Sequence, residues 1–243
     1  LEVKKFPHMS GNGLGAVELA KHLAGLDIIE QLGHLAAIYP GQVAFSSSLG
    51  PEDQVITDII ARNSIPVRVF TIDTGRLFPE TYELLDRSRS RFKIPMEVYF
   101  PQADAVQQLM TEKGATSFYE SVENRVECCH IRKVEPLDRA LKDVRVWVTG
   151  IRGDQSDNRH SMDKLEWAEK RQLWKFNPLI TWTSNEVWDY IRQHQVPYNP
   201  LHDKGFVSIG CAPCTRAIEA GEPERSGRWW WEQSKKECGL HSG

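Results

Sequence analysis

Long apolar runs are missing from this chain of 243 residues. None approaches the roughly 20 residues that span a bilayer, and the opening stretch LEVKKFPHMS has no apolar core of a secretory leader. The expectation is a cytoplasmic protein with no membrane partner. Cysteine is scarce, five in all, and an odd count in a reducing compartment argues against a disulfide framework and for metal binding or catalysis. No sign of charge dominates either. A formal net charge of −3 supplies no general attraction to nucleic acid. Internal repeats and low-complexity linkers are also absent, so the chain reads as one large domain or one domain with an extension.

What is present is an alternation of short β-branched runs with segments of helical period. Val43–Phe45, Val67–Ile72, Met96–Phe100 and Val144–Thr149 read as strands. Between them, Glu52–Ala61, Glu80–Arg91, Ala103–Lys113 and Ile131–Lys142 read as helices, with a further one near 184–195 opened by a Thr183/Glu186 capping box. The pattern predicts an α/β fold with a doubly wound, mostly parallel sheet, whose ligands collect at the carboxyl ends of the strands. Beyond Pro197 the regular pattern fades. Residues 1–200 are therefore read as one α/β domain, and residues 201–243, which hold three of the five cysteines, as a C-terminal segment folded over or hinged upon it.

Three loops after strands carry ligand-like chemistry. FSSSLGPED offers the hydroxyls of Ser46, Ser47 and Ser48, a turn at Gly50, and Glu52 and Asp53 opening a helix. Such a helix N-terminus suits a phosphate or an adenosine group, although an ordinary capped turn has the same residues. TIDTGRLFPET adds Asp73 and Thr74 for a ribose or base edge, Gly75 for close backbone approach, and Arg76, which is either a phosphate partner or a surface charge. TGIRGDQSDNR contributes Gly150, Arg152 and Arg159. Together the loops fit a nucleotide with an anionic tail.

VECCHIRK supplies Cys128 and Cys129, and GCAPCTR supplies Cys211 and Cys214. The CxxC spacing is shared by zinc, iron-sulfur and redox sites. Adjacent cysteines converge awkwardly on one tetrahedral zinc but reach separate irons of a cubane, so four thiols in two pairs fit a [4Fe-4S] cluster, with zinc as the alternative and unliganded core thiols as the plainest one. Lys133, five residues after Cys128, either offsets the thiolates and faces an anionic substrate or is a surface lysine. The fifth cysteine, Cys238 in KKECGLH, lies among Lys235, Lys236 and His241, whose field favours a nucleophilic thiolate while Glu237 opposes it; the alternative is an adventitious exposed cysteine. Upstream, ERSGRWWWEQ places Arg225 and Arg228 near three indoles that are costly to leave in water and should anchor the segment, the arginines being either phosphate partners or a polar rim.

With these motifs assembled, the chain resembles the iron-sulfur-containing adenylyl-sulfate reductases of the phosphoadenylyl-sulfate reductase family, within the PP-loop adenine-nucleotide hydrolase superfamily. The resemblance runs from about Ala44 to His241 and rests on SSSLGPEDQVI, DTGRLFPET, CCHIRK with GCAPCT, GRWWWE and ECGLH. It implies that adenosine 5′-phosphosulfate lies at the strand ends. The adenosine would sit near Ser46–Ser48, Asp73–Gly75 and Gly150, and the phosphosulfate near Lys133, Arg152, Arg159, Arg225, Arg228 and His241. It further implies that Cys238 attacks the sulfate sulfur to form S-sulfocysteine, and that thioredoxin or a glutaredoxin-like reductant releases sulfite. One [4Fe-4S] cluster on Cys128, Cys129, Cys211 and Cys214 is implied to tune the site electrostatically.

Two departures from the family pattern stand out: Gly153, where a second arginine is frequent, and Phe78, where histidine is common. The competing readings are a reductase of the 3′-phosphorylated or of both nucleotides, and an iron-sulfur or zinc nucleotide-binding sensor in which Cys238 is incidental. A tRNA-thiolating PP-loop enzyme ranks low because its SGGxDS loop is absent. Homo-oligomerisation is left open by the sequence.

Overall fold

The computed structural model describes residues 15–232, so the predicted nucleophile Cys238 and its neighbour His241 lie outside the described residues. The chain enters through α1 (Ala16–Leu23) and α2 (Ile28–Ile38), and then alternates through β1 (Val43–Ser46), α3 (Pro51–Arg62), β2 (Arg68–Ile72), α4 (Pro79–Phe92), β3 (Met96–Tyr99) and α5 (Ala103–Lys113). A second half comprises α6 (Val122–Cys129), α7 (Glu135–Ala140), β4 (Val146–Val148), the short α8 (Asp157–His160), β5 (Leu165–Ala168), β6 (Leu173–Phe176) and α9 (Ser184–His194). Among the described residues no helix is long and apolar enough to cross a membrane.

The strands form one sheet in the order β3-β2-β1-β4-β6-β5. All neighbours run parallel except β5, which returns antiparallel beside β6. The expected doubly wound, mostly parallel sheet is therefore present. The chain winds outward from β1 to β3, then crosses back to place β4 on the other side of β1. That reversal opens a crevice at the carboxyl ends of β1 and β4, where α/β folds of this kind bind ligands.

Strand alternation decides what each face buries. Val43 and Phe45 of β1, with Val146 and Val148 of β4, join the larger core under α1–α4 and α9. Ala44 and Trp147 point the other way, onto Leu137 and Ala140 of α7. α3 lies deepest, with ten buried residues from Pro51 to Ile60. It starts cleanly because Pro51 occupies the first turn, where a missing N–H costs nothing.

Two expectations about elements need correction. Six strands are present where four were expected, because β5 and β6 are short and β6 carries a lysine in the core: Lys175, 3% exposed, whose Nζ donates to Glu166 Oε2 at 3.2 Å. The helix expected over Ile131–Lys142 begins earlier, at Val122, where Ser121 Oγ accepts the Asn124 N–H at 3.1 Å. It is then interrupted by a π-helical turn over His130–Val134 before α7. Pro136 explains the interruption, since it has no N–H for the Arg132 carbonyl and its ring crowds that carbonyl.

Candidate functional site

The crevice contains a cavity of about 220 Å³. Of the predicted contacts, Ser46, Ser47, Ser48, Gly50, Glu52 and Asp53 line it from the first loop. Thr74, Lys133, Gly150 and Arg159 line it from the others, and Arg225 and Arg228 close it from the C-terminal segment. Four predicted residues are outside this lining: Asp73, Gly75, Arg76 and Arg152.

Each of the four has a definite place. Asp73 Oδ1 accepts from the Gly75 N–H at 2.7 Å and from the Tyr82 hydroxyl at 2.9 Å, so it shapes the loop. Gly75, at φ +72°, provides the turn that this loop needs. Arg76 faces away from the cavity, with its guanidinium 4.8 Å over the Phe118 ring and a bond to the Ala115 carbonyl at 2.6 Å. Arg152 is 1% exposed and held by carboxylates: Nε donates to Glu52 at 2.7 Å, Nη2 donates to both Glu224 oxygens at 2.9 and 3.0 Å, and Nη1 contacts Asp154. Losing one partner of such a buried knot costs about 3–5 kcal/mol. The role of Arg152 here is to tie residue 224 to the start of α3.

Asp53 is the cavity's unusual acid. Its Oδ2 accepts from both the N–H and the Oγ of Ser48 at 2.6 Å, which folds the serine loop back onto α3. Burial pushes its carboxyl up to about 7, against the lowering effect of the two Ser48 bonds, while Glu52 raises it further and Arg159 lowers it. A Cβ on Gly150 would lie 1.9 Å from Asp53 Oδ1, so the β4 loop reaches this position only as glycine. Between the ordinary value of 3.8 and about 7, the folded protein keeps a proton that the unfolded chain has released. Stability therefore falls as pH rises across that window and stays lowered above it. Asp53→Asn keeps an oxygen for Ser48 and cannot ionise. Its thermal midpoint is expected to exceed that of the parent by several degrees at pH 8 and to match it at about pH 4; equal midpoints at both pH values would refute the assignment.

The loop after β2 separates this cavity from a second, smaller one. There Cys128 and Cys129 from the end of α6 meet Cys211 and Cys214, and all four buried thiols line one space walled by Arg76, Phe118, Arg125, Arg132, Lys133 and Trp229. Cys211 and Cys214 are held in a tight turn, with Cys214 N–H bonding to the Cys211 carbonyl at 2.9 Å and Ala212 N–H to the Arg76 carbonyl at 2.8 Å. On a regular α-helix, five residues turn about 500°, which would carry Lys133 far from the Cys128 face. The π turn, with Glu135 N–H bonded to the His130 carbonyl, underwinds the helix and lets Lys133 line both cavities.

Burial opposes ionisation of Cys211, yet Lys133, the Thr74 hydroxyl at 3.2 Å, Arg228 and Arg132 together hold its thiol below the ordinary value. Burial pushes Cys214 up to about 12, reinforced by Cys211 and Cys129. Burial also raises Cys128, with Arg76 and Arg132 opposing it. The thiols thus repel one another as anions, a conflict that a bound metal centre would remove. Among the described residues no three metal-ligating side chains gather as a site for one ion; the thiols instead surround a space. Two donors on that wall, Arg132 Nε and Trp229 Nε1, are buried without a hydrogen-bond partner among the described residues. Four thiols around one space, with two unmatched donors on its wall, are compatible with an anionic metal-sulfur group.

Several contributors lay beyond the sequence reading. Arg125 and Arg132 were not singled out, although both lie within four residues of the cysteine pair. Trp229 is 1% exposed and lines both cavities, stacked 4.7 Å from each of Arg125 and Arg228. The indole anchor was expected, but Trp230 remains 40% exposed. Gly210 seats Arg228: a Cβ there would lie 2.2 Å from its guanidinium. At the two departures, a side chain on Gly153 would meet the Ile180 carbonyl at 3.0 Å, and Phe78 packs edge-on against Phe206 at 5.6 Å.

Comparison with known proteins agrees with this architecture. The family model for the phosphoadenosine phosphosulfate reductase domain matches residues 42–217. An adenosine 5′-phosphosulfate reductase from Burkholderia cepacia is 49% identical over 226 residues, covering 92% of this chain and 89% of that one. The enzyme of the same name from Allochromatium vinosum is 50% identical over 200 residues, covering 82% and 78%. A crystal structure of phosphoadenylyl-sulfate reductase from Candida auris in a phosphate complex superposes with TM-score 0.71 at 27% identity, covering 85% of this chain and 99% of that one.

Proposed function

Because this chain belongs to the phosphoadenosine phosphosulfate reductase family, we propose that it reduces adenosine 5′-phosphosulfate to sulfite and AMP in assimilatory sulfate reduction, by the route that follows. The observation that carries the reading is that Lys133, Cys211 and Trp229 line both cavities, so the strand-end crevice and the four-cysteine pocket share a wall. Identity of 49 and 50% to enzymes named for the unphosphorylated nucleotide, against 27% to the phosphoadenylyl-sulfate enzyme, favours adenylyl sulfate as substrate.

Adenosine is held between the serine loop and Gly150. The phosphosulfate faces Lys133, Arg159, Arg225 and Arg228, with His241 from the terminal segment. The Cys238 thiolate forms a bond to the sulfate sulfur as the S–O bond to the 5′-phosphate breaks. AMP leaves with the electron pair, its growing charge stabilised by those cations. The product on the protein is S-sulfocysteine. A dithiol reductant of the thioredoxin or glutaredoxin type, in the cytoplasm, then attacks the Cys238 sulfur and expels sulfite. Its second thiol resolves the mixed disulfide, so the two electrons come from the dithiol and Cys238 is regenerated.

Cys128, Cys129, Cys211 and Cys214 would hold one [4Fe-4S] cluster, which when bound supplies fixed negative charge beside the anion site and no electrons. Lys133 offsets that charge on one side and binds substrate on the other.

Intact-protein mass spectrometry with peptide mapping tests the route. After anaerobic incubation with adenylyl sulfate and no reductant, one SO₃ is expected on Cys238. An unmodified protein that retains its cluster would reject the route in favour of a nucleotide-binding sensor.

A further inference from the structure

The described chain ends at Glu232, six residues before Cys238. That last carboxylate is among the most deliberately held groups in the molecule. Arg125 Nε donates to Glu232 Oε1 and Arg125 Nη2 to Oε2, both at 2.9 Å, with the two side chains 2% and 4% exposed. This is the parallel two-bond geometry that fixes orientation as well as distance.

The same guanidinium has two further neighbours. It stacks 4.7 Å from the Trp229 ring, and it hydrogen-bonds and attracts Cys129. Arg125 rises from α6, the helix that delivers Cys128 and Cys129, and sits on the wall of the cysteine pocket. Trp229, on its other side, reaches the nucleotide cavity and Arg228. Trp229 takes this position with φ +42°, a left-handed backbone uncommon for a bulky residue. One cation therefore touches a pocket thiol, the indole shared by the two cavities, and Glu232, six positions before Cys238.

We propose that Arg125 and Glu232 are positioning residues for the sulfur-transfer step: by holding the backbone at Glu232 against the cysteine pocket, they set the distance from which Cys238, six residues on, reaches the bound nucleotide. This rests on the route given above and adds to it a reason for the pocket's location. Neither residue lines the strand-end cavity. Their effect is on where the last residues start, so they should govern the rate within the bound complex and leave nucleotide affinity alone.

Single-turnover sulfonation of Cys238, followed by mass spectrometry in the cluster-loaded protein at saturating adenylyl sulfate, tests this. Wild type must first acquire SO₃ on Cys238. If it does not, the route itself is wrong and the proposal loses its premise. In Glu232→Gln, which keeps the shape but loses the charge, the rate is expected to fall about 100-fold, the order associated with small misplacements of reacting groups. AMP affinity by calorimetry and the visible cluster absorption should stay within about threefold and unshifted, respectively, giving a kcat effect without a KM effect. A wild-type rate in that variant overturns the proposal.

Should Glu232→Gln lose its cluster or its AMP binding, the double variant Arg125→Met with Glu232→Leu decides, because an apolar pair of similar volume can replace a buried ion pair without loss of stability. A double variant that regains cluster and AMP binding yet sulfonates slowly supports positioning. One that regains the full rate shows the pair to be filling only and overturns the proposal, as does a double variant that also fails to fold, since the pair then acts on stability.

Discussion

Cys238→Ser is expected to abolish sulfite formation, by about 10⁴-fold or more, while AMP binding and the visible cluster spectrum remain those of the parent. A serine hydroxyl is almost wholly protonated at neutral pH and is a poor nucleophile toward sulfur, and its sulfate ester would not be released by a thiol. The four pocket cysteines do not substitute: all are buried at 6–9% exposure and face one another. Sulfite release assays with a dithiol reductant provide the measurement. Substantial turnover by the serine variant would move the nucleophile elsewhere and make one of the pocket thiols a reactant.

Lys133→Met should have the next largest effect. Lys133 lines both cavities and is one of the charges holding the Cys211 thiol low. Methionine retains much of the length and the apolar stem, so packing at this buried position is largely preserved. What is lost is a cation beside the pocket sulfurs and, on the proposed route, beside the leaving phosphate. Removing one preorganised charge-stabilising group costs about 10²–10³-fold. The expected result is a loss of that order in kcat/KM together with an altered cluster spectrum on AMP binding. Lost activity with a parental spectral response would confine Lys133 to the substrate side.

Much of the fold and the site was legible in the sequence because both rest on local signals. The Thr183/Glu186 capping box marked α9 to within a residue, and Gly114 stopped α5 where expected. The serine loop and Gly150 were visible as strand-end signals, since parallel sheets put such loops on one edge. Illegible parts depended on distant partners. The strand β6 was hidden by Lys175, whose burial makes sense only beside Glu166 on the neighbouring strand. Arg152 reads as an anion ligand in the sequence, which gives no sign of its bonds to Glu224, 72 positions later. Arg76 changed cavities for a similar reason, because Phe118 lies on the far side of its loop. Pro136 within an otherwise helical run was an overlooked local signal, as were Arg125 and Arg132 beside the cysteine pair, and the proline accounts for the π turn that brings Lys133 to the cysteine pocket.

The lining of the strand-end cavity runs from Ser46 to Arg228 and Trp229, so it draws on segments more than 180 positions apart. Its construction is consequently a late event in synthesis. A nascent chain that has already completed the sheet still lacks the two arginines that close the crevice and the Glu224 that ties them to α3. Nucleotide cannot assist the early stages of folding, and ligand stabilisation should appear all at once, only for chains in which Arg152 has found its last partner.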